Sequence, residues 1–220
     1  AAAPPAAGSL GITRSGPRFA SPPPPRPRRA RPGTGGGVPC YHPRVPRNVE
    51  IKARVRDLPA LLTAVEAIAD GPPELLLQDD TFFDSPFGRL KLRVSTNGTG
   101  ELVAYRRPDV GGPRESSFVK AAVTDPAALA AVLADALGPA GVVRKRRIFC
   151  RHGQTRIHLD EVDGLGTFLE LEVELRDGQP TGEGERIARE LMARLGIAEV
   201  DLVATAYVDL LGDRRLKNEE

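Results

Sequence analysis

The residues of this 220-residue chain best suited to chemistry are charged side chains at alternate positions in otherwise apolar segments. Residues two apart in a β-strand lie on the same face, so this alternation gives one apolar and one ionic face. Ordinary half-exposed strands carry mixed polar residues, whereas these rows are almost purely ionic. The rows are Glu50, Lys52 and Arg54; Arg89, Lys91 and Arg93; Arg156, His158 and Asp160; and Phe168, Glu170, Glu172 and Glu174.

These residue types together describe a metal–polyphosphate site. Basic groups bind a polyanion, and carboxylates hold a hard cation such as Mg²⁺. An interior lined by like charges would be prohibitive, but cations and carboxylates can face one another inside a closed barrel, especially around a ligand. The alternative is a solvated sheet face with cross-strand ion pairs, for example between Arg93 and Glu172. Periodicity alone leaves both interpretations open.

The alternation and the turn signals predict an α+β fold with about eight strands. Asp57 and Asp125 are typical N-caps of helices, and Gly71 and Gly196 are typical stops. The predicted strands cover 48–56, 75–83, 89–94, 101–107, 115–121, 142–150, 154–162 and 167–176. The predicted helices cover 58–69, 126–137 and 183–195, and the apolar segment 202–211 is a short helix or a strand.

The charge is unevenly distributed along the chain, and this asymmetry predicts three regions. Residues 1–47 hold 8 of the 31 Lys and Arg residues and none of the 29 Asp and Glu residues. Residues 1–46 also hold 12 of the 21 prolines, a composition that predicts a disordered tail. A transit peptide for mitochondria is the alternative, although the prolines oppose its amphipathic helix. We expect a folded domain over 47–212 and a charged tail over 213–220.

Several function classes are excluded by composition. No stretch approaches the roughly 18 apolar residues that a membrane span needs. The two cysteines, Cys40 and Cys150, are too few for a disulfide framework or a four-cysteine zinc site, which favours a reducing, cytoplasmic location. Specific nucleic-acid binding is not expected, because the basic tail has no interleaved aromatic residues. The sequence gives no sign of an oligomeric state.

The charged rows and their flanking residues resemble the CYTH superfamily, the triphosphate tunnel metalloenzymes that include class IV adenylyl cyclases and thiamine triphosphatases. The segment Asn48-Val49-Glu50-Ile51-Lys52-Ala53-Arg54 is similar to the opening strand of that family. The likeness spans about 48–211, and it is closest to the cyclase-like subgroup. It continues at Gly88 to Arg93, Tyr105 to Asp109, Gly112 to Ser116, Val143 to Arg147, His158 to Val162, Gly166 to Glu172 and Ala206 to Leu211.

The resemblance implies an eight-stranded antiparallel barrel that forms a tunnel, with helices packed outside and Mg²⁺ or Mn²⁺ as cofactor. It implies catalytic, metal-binding carboxylates at Glu50, Glu170 and Glu172, with Asp160 as a further ligand or a water-orienting group. His158 could be an acid/base, a spacer or a phosphate contact. The implied triphosphate-binding cations are Lys52, Arg54, Lys91, Arg93, Arg107, Lys145 and Arg147, with Arg156 as a further candidate on the face of Asp160.

One departure from the family pattern bears on function. The family motif is Glu-x-Glu-x-Lys, and Asn48 stands at the first Glu position, where it brings no charge to a metal.

Taken as a whole, the resemblance implies a metal-dependent phosphohydrolase acting on a small-molecule triphosphate, either inorganic or organic. The alternatives are an adenylyl cyclase that forms cyclic AMP and pyrophosphate, and a non-catalytic polyphosphate- or nucleotide-binding module.

Overall fold

The computed structural model describes residues 45–96 and 98–218, with side chains up to residue 212. The strands of this part are β1 (Arg47–Arg54), β2 (Glu74–Phe83), β3 (Arg89–Ser95), β4 (Gly100–Arg106), β5 (Arg114–Val123), β6 (Pro139–His152), β7 (Thr155–Val162) and β8 (Gly166–Glu174). The helices are α1 (Leu58–Glu66), α2 (Pro126–Leu137), α3 (Thr181–Arg194) and α4 (Tyr207–Asn218), with a 3₁₀ turn at Glu199–Asp201.

The eight strands close into one antiparallel barrel in the order β1-β5-β4-β3-β2-β6-β7-β8. Strand β1 completes the ring because it pairs with two strands that are both later in the sequence. Val49 lies opposite Glu115 of β5 on one side and opposite Val173 of β8 on the other. The predicted α+β fold with a closed eight-stranded barrel is confirmed.

The helix starts follow the predicted caps. The side chains of Asp57 and Asp125 each accept a backbone N–H bond of 3.0 Å, from Ala60 and Ala128 respectively. Helix α2 has its predicted bounds, α1 ends three residues early, and α3 is shifted by one or two residues toward the N-terminus. The segment 202–211 is mixed, because Leu202 forms a β-bridge and α4 begins only at Tyr207.

The larger of two buried apolar clusters lies outside the barrel, between its wall and two helices. Val49, Ile51, Ile157 and Leu171 are at most 1% exposed, and they pack with α1 and α3 side chains such as Leu61 and Leu191. Because residues alternate between faces, covering this apolar face turns the ionic rows inward. Helix α2 contributes no buried residue to this packing.

Two expectations about the chain ends have different outcomes. The predicted disordered tail over 1–46 lies almost entirely outside the described residues, so it stays a prediction. At the other end, α4 continues to Asn218, into the segment predicted as a charged tail. No helix within 45–96 and 98–218 is long and apolar enough to span a membrane.

The close approach of α3 to β1 gives a stability prediction. Gly184 is buried in α3, and a Cβ there would lie 2.7 Å from Val49 Cγ2 and 3.2 Å from Val49 Cβ. We expect Gly184→Val to lower the free energy of unfolding by about 2 kcal/mol, because overpacking displaces a fully buried strand. Urea denaturation followed by circular dichroism measures this loss.

The matched control is Gly182→Val in the same helix, where no heavy atom lies within 4 Å of the added Cβ. Its expected change is within about 0.5 kcal/mol. Equal losses in the two variants would show that helix propensity, rather than contact with β1, sets the effect.

Candidate functional site

The inward faces of the barrel surround one charged cavity of about 850 Å³, part of it open to solvent. Every strand contributes to the lining, and the contributing residues recur at spacing two, as the alternation predicts. Eight basic residues of the described chain line this cavity, namely Lys52, Lys91, Arg93, Arg107, Lys120, Lys145, Arg147 and Arg156. Four carboxylates line it, namely Glu50, Asp80, Glu170 and Glu172.

Most of the predicted site residues meet here, and two placements differ. Arg54 ends β1, is exposed and lies outside the lining, with its guanidinium 5.1 Å from the ring centre of Phe168. Asp160 is fully buried behind the lining. Arg156, the further candidate, lines the cavity and pairs with Glu172 at 2.6 Å.

Asp80 is the buried centre of one cation cluster, and the sequence did not reveal it. Its carboxylate is 1% exposed and accepts bonds from Lys91 Nζ at 2.8 Å and Lys145 Nζ at 3.0 Å. The Arg93 guanidinium binds both oxygens, at 2.7 and 2.8 Å. Burial opposes ionisation, but the three cations together hold the pKa of Asp80 well below its usual range.

Asp160 fixes the direction of a second buried cation. Arg147 donates to both oxygens of Asp160 at 2.6 Å and to Glu170 Oε2 at 2.7 Å. The Tyr207 hydroxyl donates to Asp160 Oδ2 at 3.1 Å. With both oxygens engaged, Asp160 is placed to position Arg147 rather than to face the cavity. Its expected role as a metal ligand or water-orienting group stays a prediction.

The lysines of the cavity are held partly desolvated, with too little negative charge around them. Burial, together with Arg93, lowers the pKa of Lys91 to about 7, even though Asp80 is hydrogen-bonded to it. Burial lowers the pKa of Lys52 to about 8, against the opposing effect of Glu170. A ligand that brings negative charge to these ammonium groups therefore relieves an existing electrostatic deficit.

The carboxylates concentrate at β1 and β8, where Glu50 lies directly opposite Glu172 in the strand pairing. Burial raises the pKa of Glu50, and the nearby Glu172 and Glu170 add to this shift, although Arg107 donates to Glu50 Oε1 at 2.6 Å. His158 places one ligand atom within 4.8 Å of ligand atoms of Glu170 and Glu172. The ligand atoms of this set lie close enough together to hold a divalent cation.

Asn48, the departure from the family pattern, is 3% exposed and lines the cavity. In the amide orientation that satisfies both of its polar atoms, its nitrogen donates to the Arg47 carbonyl and its oxygen accepts from Arg156 at 3.1 Å. Its oxygen is therefore engaged by a cation. This arrangement is consistent with one metal-binding group fewer than in the family motif.

The segment between Leu202 and Tyr207 lies against one end of the barrel and is held there by cations of the wall. Lys52 Nζ donates to the Thr205 carbonyl at 3.0 Å, Arg107 to that of Ala204 at 3.4 Å, and Arg114 to that of Val203 at 3.5 Å. The Tyr207 ring follows, with its centre 3.7 Å from Lys52 Nζ. The segment therefore contributes to the wall of the cavity.

The Asp80 cluster generates a stability prediction. We expect Asp80→Asn to lower the free energy of unfolding by about 3 kcal/mol at neutral pH, because three buried cations lose their shared carboxylate. The pKa of Asp80 is lowered by folding, so its contribution is fully present above an unfolded-state pKa of about 4, declines below that value, and is lost as pH falls through the much lower folded-state pKa. Urea denaturation at pH 7 and pH 3 measures both effects.

Asp79→Asn is the matched control, one residue away on the opposite face. Its side chain is 60% exposed and lies 3.8 Å from Arg144, so its removal should change stability by less than about 0.5 kcal/mol. Losses of similar size at the two positions would contradict the central place of Asp80.

Comparison with known proteins agrees with this geometry. The CYTH domain model matches residues 46–207. The chain is 27% identical over 180 residues to adenylate cyclase CyaB from Aeromonas hydrophila, covering 78% of this chain and 92% of that protein.

Solved structures show the same fold. The PH1012 protein from Pyrococcus horikoshii is 24% identical, with a TM-score of 0.67 over 74% of this chain and 98% of that one. A putative adenylyl cyclase from Hippeastrum is 17% identical, with a TM-score of 0.53 over 73% of this chain and 91% of that one. The resemblance inferred from the charged rows is thus confirmed by an independent match over most of the barrel. The chain belongs to the CYTH domain family.

Proposed function

We propose that this protein is a divalent-metal-dependent phosphohydrolase that binds a triphosphate group in the barrel cavity. The observation that carries the proposal is the charge of the lining. Eight cations face four carboxylates, which leaves four positive charges in a largely buried space. A compact polyanion compensates such a surplus, and a triphosphate offers many oxygens to a ring of separate donors.

The chain's own residues bind and orient this ligand. Lys91, Arg93 and Lys145 form one cluster around Asp80, and Arg147 is fixed by Asp160, so these donors keep their positions before a ligand arrives. Preorganised donors in a space shielded from water stabilise the charge that develops on phosphoryl oxygens in the transition state.

Glu50, Glu170 and Glu172 would hold the divalent cation, Mg²⁺ or Mn²⁺, which would supply Lewis-acid stabilisation of the negative charge on the phosphoryl group. We assign the orientation of the attacking water to a carboxylate of this cluster. Water adds to the terminal phosphorus, the bond from that phosphorus to its bridging oxygen breaks, and the products are orthophosphate and the remaining diphosphate, which is pyrophosphate or a nucleoside diphosphate. Inorganic triphosphate and nucleoside triphosphates are the substrate candidates.

An adenylyl cyclase is the second candidate function, favoured by the likeness to CyaB of Aeromonas hydrophila. The same cavity would hold ATP while its ribose 3′ oxygen attacks the α-phosphorus, releasing pyrophosphate. The Hippeastrum protein is described both as a putative adenylyl cyclase and as having a dominant triphosphatase activity. Both reactions are therefore ascribed to proteins of this fold, and product analysis decides between them.

The deciding experiment incubates the full chain with inorganic triphosphate or ATP in the presence of Mg²⁺ or Mn²⁺ and identifies the products. Orthophosphate supports the hydrolase, and cyclic AMP with pyrophosphate supports the cyclase. Tight binding without turnover, unrescued by Asn48→Glu, supports a binding module instead. Glu170→Gln should lose metal-dependent turnover if the carboxylate cluster holds the cation.

The cavity lining gives a prediction with a matched control. We expect Lys145→Ala to lower kcat/KM for triphosphate hydrolysis about hundredfold, because one preorganised donor is removed. The preceding residue Arg144 points outward, 63% exposed, and Arg144→Ala should keep kcat/KM within about twofold. An unchanged kcat/KM in Lys145→Ala, measured by orthophosphate release, would refute binding inside the barrel.

The lowered lysine pKa values predict how binding depends on pH. Free Lys91 and Lys52 lose their protons as pH rises through about 7 and about 8, whereas a bound triphosphate favours the protonated forms. Triphosphate affinity should therefore fall between pH 7 and pH 9, and binding at pH 8 should take up protons. Calorimetry in buffers of different ionisation enthalpy measures this uptake.

Lys91→Arg separates the proton uptake of Lys91 from that of Lys52, because arginine stays protonated throughout this pH range. It should reduce the proton uptake while retaining a cation at the site. An affinity that rises from pH 7 to pH 9 would contradict the assignment of these lysines to the anion.

A further inference from the structure

His158 is a buried imidazole on the inner face of β7 without a hydrogen bond to its Nδ1 atom. The residue is 5% exposed, and its ring packs against Phe149 with ring centres 5.7 Å apart. The Nδ1 atom is buried and has no hydrogen-bond partner among the described residues. A polar atom left in this way costs free energy, so its position requires an explanation.

The Nδ1 atom is directed at the two glutamates of β8. It lies 3.9 Å from Glu170 Oε2 and 3.7 Å from Glu172 Oε1, too far for hydrogen bonds. Ligands about 2.1 Å from an octahedrally coordinated ion lie about 3 Å apart when adjacent, so each observed distance exceeds that of a closed shell by less than about 1 Å. The observed spacing is thus close to that of a coordination shell, and small side-chain rotations would close it.

Glu172 keeps one carboxylate oxygen toward this space, whereas the Glu170 oxygen that faces His158 also accepts a hydrogen bond from Arg147. Glu172 directs Oε2 to Arg156 at 2.6 Å, while Oε1 faces His158. Glu170 directs Oε2 to Arg147 at 2.7 Å, with Oε1 at 3.5 Å from Lys52. In the strand pairing His158 lies directly opposite Glu170, so the imidazole and the acidic pair occupy neighbouring rows of one wall.

We propose that Nδ1 of His158 is a ligand of the divalent cation shared by Glu170 and Glu172, and that this site prefers a first-row transition ion such as Mn²⁺ over Mg²⁺. Mg²⁺ selects oxygen ligands, whereas imidazole nitrogen suits first-row transition ions, among which Mn²⁺ also suits the carboxylates of this set. The inference rests on the proposed metal-dependent function and specifies the class of ion. It also gives His158 a role other than a spacer or a phosphate contact.

The test measures metal binding rather than turnover. Mn²⁺ is titrated into the full chain and followed by electron paramagnetic resonance, with Mg²⁺ as competitor, and electron spin echo modulation detects nitrogen bound to Mn²⁺. We expect histidine nitrogen coupling in the wild-type protein. His158→Gln should abolish the coupling and weaken Mn²⁺ binding at least about tenfold, with Mg²⁺ affinity changed by less than about threefold.

His152→Gln is the matched control, because His152 ends β6 and lies 3.6 Å from Asp70, away from the cavity lining. It should leave the coupling and both affinities unchanged. Because the nitrogen signal is recorded on the wild-type protein, it does not depend on how well His158→Gln folds.

Two outcomes separate this inference from the proposed function. Mn²⁺ bound without nitrogen coupling, and with an unchanged preference over Mg²⁺ in His158→Gln, overturns the role of His158 and leaves the metal-dependent hydrolase intact. A wild-type chain that binds neither ion, with or without inorganic triphosphate, overturns both.

Discussion

Eight basic side chains face a cavity that contains only four carboxylates, and removing an unpaired charge from water costs several kcal/mol in a protein interior. The positions of the carboxylates in and behind the cavity lining offset part of this cost. Asp80 neutralises part of one cation cluster within the lining, Asp160 binds Arg147 from behind it, and Glu50, Glu170 and Glu172 lie on β1 and β8. The cations are held in place before any ligand binds, but they are not fully compensated, which is the condition expected of a receptor for a polyanion.

The distribution of charge also explains why net charge is a poor guide to this protein's ligand. Outside residues 1–47 the chain carries more acidic than basic side chains, which would argue against a polyanion. Many of the acidic side chains, such as Glu161 and Glu185, lie on the outer surface, whereas many basic side chains point into the barrel. A ligand inside the barrel therefore meets a local field opposite in sign to the average of the domain.

Side-chain parity was sufficient to group charged residues on shared strand faces, because it depends only on neighbouring residues. It grouped Lys91 with Arg93 and Glu170 with Glu172, which line the cavity, whereas the closed barrel and the inward position of Lys145 and Arg147 followed from the family resemblance. Asp80 was not predicted as a site residue, because the outer face of β2 is half exposed and its sequence shows no regular alternation of apolar and polar residues. Its partner Lys145 lies 65 residues away, and only the pairing of β2 with β6 brings the two together.

Other placements depended on contacts that no local pattern contains. Arg54 has the correct parity, but its row ends where Phe168 and Tyr207 pack against each other, with ring centres 5.0 Å apart. Tyr207 itself comes from a helix that follows the barrel, so strand periodicity says nothing about it. Likewise, alternation predicted the strand face on which Asp160 lies, but it could not predict that Arg147 donates hydrogen bonds to both oxygens of Asp160.

The position of β1 between β5 and β8 has a consequence for how the chain reaches its native state. Its partners in the ladder lie about 65 and 120 residues further along the sequence, as the pairs Val49–Glu115 and Val49–Val173 show. Such distant contacts bring a large loop-closure entropy and slow folding. During synthesis β1 cannot pair with β8 until β8 has been made, so in a ribosome-bound chain that lacks β8 the barrel is not closed. Glu50 and Glu172 come together only when β1 pairs with β8, which makes assembly of the site one of the last events of folding.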